Sequence, residues 1–198
     1  MATDDGREVF PDRLSSWGKF IFMSDRGTAL LMREIQLLDL DNDALMMIEA
    51  DLDLYCARHN ARAGANAVHI RDTVALWRKF MLSVRAVPPW IGYLTVDESS
   101  RTIIGTCAFK GNPNQEGTVE IAYFTFPDHE GKGYATAMAH ALIQIALTSP
   151  EVPGIIAHTL PQANASTKVL QKVGMKFVGD VIDPEDGPVW RWQYERAK

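Results

Sequence analysis

Two neighbouring segments in the middle of the chain carry the clearest pattern of apolar and polar positions. Residues 119–126 are rich in β-branched and aromatic side chains and are followed by Pro127, which is typical of a buried strand. Beyond a short stretch with two glycines, apolar residues recur at the spacing of one helix face. They are Ala135, Met138, Ala139, Leu142, Ile143, Ala146 and Leu147. This part of the chain is therefore predicted to fold as a strand, a tight turn and a helix.

The pattern before this segment predicts a hairpin followed by two helices. Residues 19–23 and 28–37 are predicted to form two strands joined by a turn. Helical spacing of apolar residues predicts helices over 41–63 and 72–84, and a Pro-Pro pair then breaks the chain.

The remaining strands surround the central segment. They are predicted over 90–96 and 102–109 before it and over 154–159 after it. Residues 175–182 and 189–194 are predicted to close the sheet as a hairpin.

Composition and charge narrow the class of protein. A length of 198 residues suits one domain, predicted over 19–198, after an N-terminal arm over 1–18 that shows little periodicity. The net charge of −5 argues against non-specific binding of nucleic acid. Cys56 and Cys107 lack the spacing of a disulfide framework or a metal site, which favours two reduced structural cysteines, and no metal is expected. Without a signal-peptide pattern or a membrane-length apolar run, the sequence predicts a cytoplasmic protein.

The turn before the central helix is a candidate anion site. Its sequence is Glu130, Gly131, Lys132, Gly133, Tyr134 and Ala135. Glycines allow a tight turn and a close approach of a ligand to the backbone. The first amides of a helix have no partner inside it and lie at the positive end of its dipole, which favours a phosphate. The alternative is a turn whose glycines serve backbone geometry alone.

The commoner nucleotide-binding patterns do not match this turn. A P-loop requires Ser or Thr after its Gly-Lys pair, but Gly133 follows Lys132. A dinucleotide fingerprint requires a third glycine where this chain has Thr136. The other signature segments of protein kinases are absent.

The turn resembles motif A of the GNAT superfamily of N-acetyltransferases, in which a strand is followed by Gln/Arg-x-x-Gly-x-Gly/Ala. Gly133, Tyr134 and Ala135 match the second half of that motif. Glu130 stands where Gln or Arg is usual, and an acid beside a diphosphate does not favour binding.

A second segment, residues 158–175, resembles motif B of the same superfamily, in which an Asn and a Ser open a short helix. Asn164 can cap this helix and Gly174 can end it. With both motifs in the family's order, the chain is similar to the GNAT superfamily over about residues 90–195. Within the superfamily it most resembles the ribosomal-protein N-terminal acetyltransferases RimJ and RimL.

The resemblance implies an α/β (α+β) fold: one GNAT-like domain whose twisted, mostly antiparallel central sheet is flanked by helices and splayed at the central strand. It also implies that acetyl-coenzyme A binds along that strand, with its pyrophosphate on the amides of the glycine turn. The residues expected to contact it are Tyr123, Phe124, Thr125, Gly131, Lys132, Gly133, Tyr134, Ala135, Thr136 and Asn164. An amide at Tyr123 or Phe124 is expected to hold the thioester carbonyl and Thr125 to pair with the pantetheine, whereas Asn164 can equally be a simple cap.

Glu120 is the candidate catalytic residue, because many members of the superfamily carry a carboxylate general base near the start of this strand. Alternation along the strand places Glu120 on the same face as Phe124. Burying an acid is unfavourable unless it is paired or hydrated, which favours a functional reading. The alternative is an acid near the exposed start of the strand that accepts a structural hydrogen bond.

The general acid is not identified by the sequence. Many members of the superfamily have a Tyr in the motif B helix that protonates the thiolate, but Gln171 occupies that region here. This leaves Tyr123 and His158 as candidates, or a thiolate that leaves unassisted.

The sequence therefore predicts an acetyl-coenzyme A-dependent N-acetyltransferase that acts on a primary amine, on a small molecule or a protein N-terminus. A non-catalytic coenzyme A-binding module of the same fold is one alternative, favoured by Glu130 and by the missing motif B tyrosine. A structural protein without a cofactor is another. No nucleic-acid or membrane partner is expected, and the acceptor and the oligomeric state, a homodimer included, are left open.

Overall fold

The computed structural model describes most of the chain, namely residues 22–23, 29–30, 33–184 and 186–196. The predicted N-terminal arm, residues 1–18, lies outside the described residues. The chain divides into two compact units, Met1–Leu31 and Met32–Lys198. The second unit contains the central strand, turn and helix that the sequence singles out.

In the first unit, β1 (Phe22–Met23) pairs antiparallel with β2 (Ala29–Leu30), which agrees with the predicted hairpin. The prediction of one continuous strand over 28–37 is wrong, because β2 is followed by a separate strand, β3 (Ile35–Asp39). The exposed charged residues Arg33 and Glu34 directly precede β3.

The second unit is built on one sheet, whose described strands lie in the order β3-β4-β5-β6-β7-β9-β8. The strands after β3 are β4 (Gly92–Asp97), β5 (Ile103–Phe109), β6 (Thr118–Thr125), β7 (Gly154–Thr159), β8 (Lys176–Asp183) and β9 (Gly187–Glu195). Each neighbouring pair is antiparallel except β6 and β7, which are parallel. The mostly antiparallel sheet that the resemblance implies is therefore confirmed.

The helices of this unit are α1 (Asn42–Ala50), α2 (Leu52–Arg58), α3 (Ala67–Val84), α4 (Tyr134–Leu147) and α5 (Ala165–Lys172). The prediction of one helix over 41–63 is wrong, because Asp51 is extended, with φ −158° and ψ 96°. Its carboxylate accepts a hydrogen bond from the Leu54 amide at 2.9 Å and starts a new helix there. The helix predicted from residue 72 begins earlier, at Ala67.

The core consists of two clusters of buried side chains. One includes the buried face of α4, where Met138, Ala139 and Leu142 are fully buried together with α5 and strand residues. The other contains side chains of α1, α2 and α3, together with Leu94 of β4. These clusters hold the central strands, β5 and β6, and the start of α4 in fixed relation to each other.

The start of α4 is also tied to the end of β4 through Tyr134 and Asp97. Asp97 accepts hydrogen bonds from the Ser99 hydroxyl at 2.7 Å and from the Ser100 hydroxyl and amide at 2.7 and 2.9 Å. Burial alone would raise the pKa of Asp97, but these hydrogen bonds and one from Tyr134 outweigh it and lower the pKa to about 2. Burial and the contact with Asp97 raise the pKa of Tyr134. The ionised carboxylate thus anchors the first residue of α4.

The sheet opens between its two parallel strands. β6 and β7 pair only through Thr118 with Gly154, Val119 with Ile155, and Glu120 with Ile156. Beyond that point β6 continues as a partner of β5 alone, whereas β7 continues as a partner of β9 alone. The predicted splay of the sheet at its central strand is confirmed.

Replacing Leu142 by Ala is expected to lower the free energy of unfolding by about 2–5 kcal/mol, because it leaves a cavity beside a side chain that is fully buried. Denaturant unfolding measures this change. Leu76→Ala on α3, where the side chain is 73% exposed, is the matched control and is expected to change it by less than about 0.5 kcal/mol. Equal losses in the two variants would contradict the assignment of this core.

Replacing Asp97 by Asn is expected to reduce stability at neutral pH by about 1 kcal/mol. Because folding lowers the pKa of Asp97 from 3.8 to about 2, its contribution is present at and above about pH 5 and is lost as the pH falls toward 2. The difference between wild type and variant should therefore shrink in acid, as measured by unfolding at pH 7 and near pH 2. Asp72→Asn, at an exposed position of α3, serves as the control, and a difference that persists near pH 2 would contradict the account.

Candidate active site

Open space lies over the backbone amides at the start of α4. Gly131 and Gly133 have φ values of 70° and 89°, which side chains other than glycine rarely adopt. A Cβ built on Gly131 would have no described atom within 4 Å, and one on Gly133 would first meet Cγ of Arg33 at 3.9 Å. Gly133 is the N-cap of α4, and no side chain caps the helix. The geometry is that of an anion cradle at a helix start.

Two cations lie at this turn, but they are held differently. The Lys132 ammonium donates to the carbonyl of Asp128 at 2.6 Å, so the side chain folds back on its own turn. Arg33 donates from Nε to the carbonyl of Lys132 at 3.0 Å, and its guanidinium lies 5.5 Å from the centre of the Tyr134 ring. Arg33 thus brings a positive charge to the turn where Glu130 replaces the usual Gln or Arg.

Sequence reasoning missed Arg33. The residue lies just before β3, 99 positions away from Lys132, and no local pattern marks it. Only the pairing of β3 at the edge of the sheet brings it to the glycine turn. The position of Arg33 in the sequence therefore indicates neither its exposure nor its contact with the turn.

A cleft of about 310 Å³ occupies the gap between the separated ends of β6 and β7. Residues of β6, β7, β9 and α5 line it, together with Lys110 after β5, Leu160 after β7 and Asp186 of the β8–β9 turn. On the β6 side it is lined by Glu120, Ile121, Ala122 and Tyr123. The cleft begins where the pairing of β6 and β7 ends, at the position predicted for the reacting end of the cofactor.

Tyr123, Phe124 and Thr125 form the last three residues of β6, and they differ in environment. The Tyr123 hydroxyl donates to the carbonyl of Ser166 at 3.3 Å, and burial raises the pKa of this phenol well above its usual range. Phe124 is 50% exposed, on the face of the strand that also carries Glu120. Thr125 is buried, and its hydroxyl has no hydrogen-bond partner among the described residues.

Glu120 lies in the cleft as a paired carboxylate. Its Oε1 is 3.0 Å from Nζ of Lys110 and also 3.0 Å from Nδ1 of His158. The Glu120 and His158 side chains are only 18% and 14% exposed. Lys110 also lies 3.9 Å from Asp186. Burial opposes the charge of Lys110, but the hydrogen bond with Glu120 and the charges of Glu120 and Asp186 raise its pKa.

The motif B helix presents different residues to the cleft from those expected. Gln171 is exposed, whereas Ser166 and Leu170 of α5 line the cleft. The helical repeat turns Gln171 outward, so this side chain does not line the cleft. Asn164 caps α5: its Oδ1 accepts from the Thr167 amide at 3.0 Å, and the Thr167 hydroxyl accepts from the Asn164 amide at 3.1 Å.

The remaining expected contacts lie together in the first turn of α4. Ala135 is half-buried and Thr136 is buried, so their side chains face the protein.

Within the described part of the chain, no three His, Cys, Asp or Glu side chains converge as metal ligands do. The same residues include no helix long and apolar enough to cross a membrane. Cys56 and Cys107 are both buried and free of disulfides.

Comparison with known proteins identifies the family. The model of the acetyltransferase (GNAT) domain matches residues 30–176. A curated relative, the uncharacterized N-acetyltransferase YjdG of Bacillus subtilis (strain 168), is 27% identical over 103 residues, which are 52% of this chain. That match covers 61% of the relative, so the chain spans about three fifths of its length.

Solved structures share the fold at low identity. The ribosomal-protein-S5-alanine acetyltransferase of Vibrio fischeri is 15% identical, with a TM-score of 0.53 over 85% of this chain and 95% of that one. The aminoglycoside acetyltransferase AAC(6')-Ib, solved in complex with coenzyme A, is 19% identical, with a TM-score of 0.55 over 82% of this chain and 94% of that one. The family match covers most of the sequence, and the splayed sheet agrees with it. The chain belongs to the GNAT acetyltransferase family.

Proposed function

We propose that this protein is an acetyl-coenzyme A-dependent N-acetyltransferase that acts on a primary amine. The observation that supports this most is the junction of β6 and β7. There an unpaired strand end and a partly buried carboxylate line one opening in the sheet, and a helix start without a side-chain cap follows the same strand. Acetyl transfer from coenzyme A requires an anion site for the diphosphate, free backbone for the extended arm and a proton acceptor for the amine.

The diphosphate is assigned to the backbone at the start of α4. The amides available are those of Gly131, Lys132, Gly133, Tyr134, Ala135 and Thr136. The fit is favourable because no Cβ fills the space over either glycine and Arg33 adds a nearby cation. Lys132 then acts through its amide, since its ammonium is bound to the Asp128 carbonyl.

The pantetheine arm and the carbonyl are assigned to the end of β6. From Ile121 onward this strand does not pair with β7, so backbone groups of Tyr123 and Thr125 are available to a ligand on that side. Alternation along the ladder with β5 directs the backbone groups of Phe124 to β5 instead. A bound acetyl-coenzyme A would supply an acyl group already activated as a thioester. Asn164 is assigned to the far wall through its Nδ2, because its Oδ1 caps α5.

The proton transfers are assigned to two groups in the cleft. Glu120, in contact with His158, forms the proton-accepting centre. Tyr123 is the candidate acid for the departing sulfur, because the residue lines the same cleft and its phenol carries a proton that can be donated. This assignment replaces the motif B tyrosine by one on β6.

We assign the acceptor only by its chemical class, a primary amine. Glu120 and Asp186 line the cleft, but both lie beside Lys110, so these carboxylates do not select the charge of the acceptor. The exposed side chain of Leu160 at the lining offers an apolar contact. A small-molecule amine and a protein N-terminus are both compatible with this lining. The V. fischeri structure is named as a ribosomal-protein acetyltransferase. Its similar fold makes a RimJ- or RimL-like acceptor one hypothesis for this protein. We place the protein in the cytoplasm, where its two buried thiols would stay reduced.

Binding and turnover are measured separately to test this function. Acetyl-coenzyme A at 100 times its dissociation constant is expected to stabilise the fold by about 2.7 kcal/mol, seen as a raised melting temperature. A panel of small amines and peptides with free N-termini is then expected to release thiol from the bound cofactor. Stabilisation without release across the panel would indicate the non-catalytic module, and no stabilisation would refute cofactor binding altogether.

Replacing Arg33 by Gln is expected to weaken the binding of coenzyme A about tenfold, because the turn loses a charge-assisted contact with the diphosphate. Titration calorimetry measures the affinity for coenzyme A, for the form that lacks the 3′-phosphate, and for acetylpantetheine, which has no diphosphate. The first two affinities should fall equally and the third should not change.

The control for this prediction is Arg71→Gln, which removes an exposed arginine from α3. It is expected to leave all three affinities unchanged. A loss for coenzyme A but not for the form without the 3′-phosphate would move Arg33 to that phosphate. Unchanged affinity in the Arg33 variant would remove the residue from the site.

A further inference from the structure

We propose that Nε2 of His158 accepts the proton from the acceptor amine, and that Glu120 is a positioning residue that holds the imidazole. This inference rests on the proposed acetyltransferase function and divides the proton-accepting centre between its two members. It is carried by the register of the sheet and by the hydrogen bonds around Glu120.

The register places His158 further along the cleft than Glu120. β6 and β7 are parallel, and Glu120 pairs with Ile156, the last residue of β7 that pairs with β6. His158 lies two residues beyond Ile156, in the part of β7 that has separated from β6. It lines the opposite lip of the cleft, in the direction in which β6 runs toward Tyr123.

The contacts of Glu120 are those of an orienting group. Its Oε1 already accepts from the Lys110 ammonium, and His158 reaches the same oxygen through Nδ1, with both distances 3.0 Å. A neutral imidazole that donates from Nδ1 leaves Nε2 with a free electron pair. Within the described part of the chain Nε2 makes no hydrogen bond, and the residue lines the cleft.

Charged groups surround His158 in a balanced set. Glu120 faces it from β6, and Lys110 lies beside the same carboxylate at the end of β5. Arg191 of β9 is its direct register partner, and Asp186 of the β8–β9 turn lies on the cleft beside Lys110. These groups are two cations and two carboxylates, and of them Glu120 contacts the imidazole directly.

The proton and electron pairs balance as follows. One proton passes from the acceptor ammonium to Nε2, and the neutral amine forms a nitrogen–carbon bond with the thioester carbon. The carbon–sulfur bond breaks and sulfur keeps the electron pair. Nitrogen loses a second proton, and of the two protons one ends on sulfur and one leaves to solvent. The products are an amide, a thiol and one proton.

The dependence of kcat/KM on pH tests this division of roles, with any amine that the wild-type protein acetylates. His158→Gln is expected to lower kcat about 100-fold and to abolish the acidic limb of the profile. Glu120→Gln is expected to lower kcat but to keep that limb, because the imidazole remains and only the contact that positions it is lost. His59→Gln, at the end of α2 and outside the cleft, is the matched control and should resemble wild type.

A limb that persists in His158→Gln, or that disappears in Glu120→Gln, would overturn the proposal. Cofactor-induced stabilisation of each variant confirms that it is folded, and an absence of turnover by wild type would instead count against the proposed function.

The second readout needs neither a variant nor an acceptor. Nitrogen-15 chemical shifts of the His158 ring in the wild-type protein, above the pH of the limb, should show Nδ1 protonated and Nε2 bare. Nε2 carrying the proton would overturn the proposal even if no acceptor is found.

Discussion

The loss of pairing between β6 and β7 after Glu120 and Ile156 is the constraint on which the rest of the site depends. If these two parallel strands stayed paired along their length, their backbone N–H and C=O groups would bond to each other and the sheet would have no opening. Here each strand keeps only its outer neighbour, β5 for β6 and β9 for β7. The separated ends therefore expose main-chain groups in the middle of an otherwise continuous sheet, and such groups require a hydrogen-bond partner.

The opening is useful only because the start of α4 is fixed beside it. The buried face of α4 packs into the larger core cluster, and Tyr134 is anchored to the ionised Asp97 at the end of β4. Asp97 is in turn held by Ser99 and Ser100 of the following turn. A chain of local hydrogen bonds thus connects the sheet to the first amides of the helix, so that the cradle keeps its shape without a side-chain cap.

Local patterns of the sequence predicted the parts of the fold that depend on local chemistry. The apolar stripe of α4 and the β-branched run of β6 gave both elements to within a residue or two, because burial of one face decides them. The break at Asp51 was not predicted, since a capping carboxylate competes with a continuous stripe that spans it. Motifs A and B identified the family, because their spacing reflects a strand, a turn and the start of a helix.

Contacts set by long-range register could not be obtained in this way. Arg33 reaches the glycine turn from another strand of the sheet, and Lys110 reaches Glu120 through the pairing of neighbouring strands. His158 could be seen in the sequence, but its distance from Glu120 depends on which residue of β7 pairs with which residue of β6. A slip of one position would turn its side chain to the opposite face of the sheet.

The same register explains why the charges of the cleft lie where they do. Glu120 is the last residue of β6 in register with β7, and its carbonyl accepts a hydrogen bond from the Lys110 amide on the β5 side. Lys110 lies on one side of it and His158 on the other, and both contact one oxygen. These two contacts fix the position of the carboxylate in the opening. The end of strand pairing therefore sets the position of this charged cluster as well as that of the cleft.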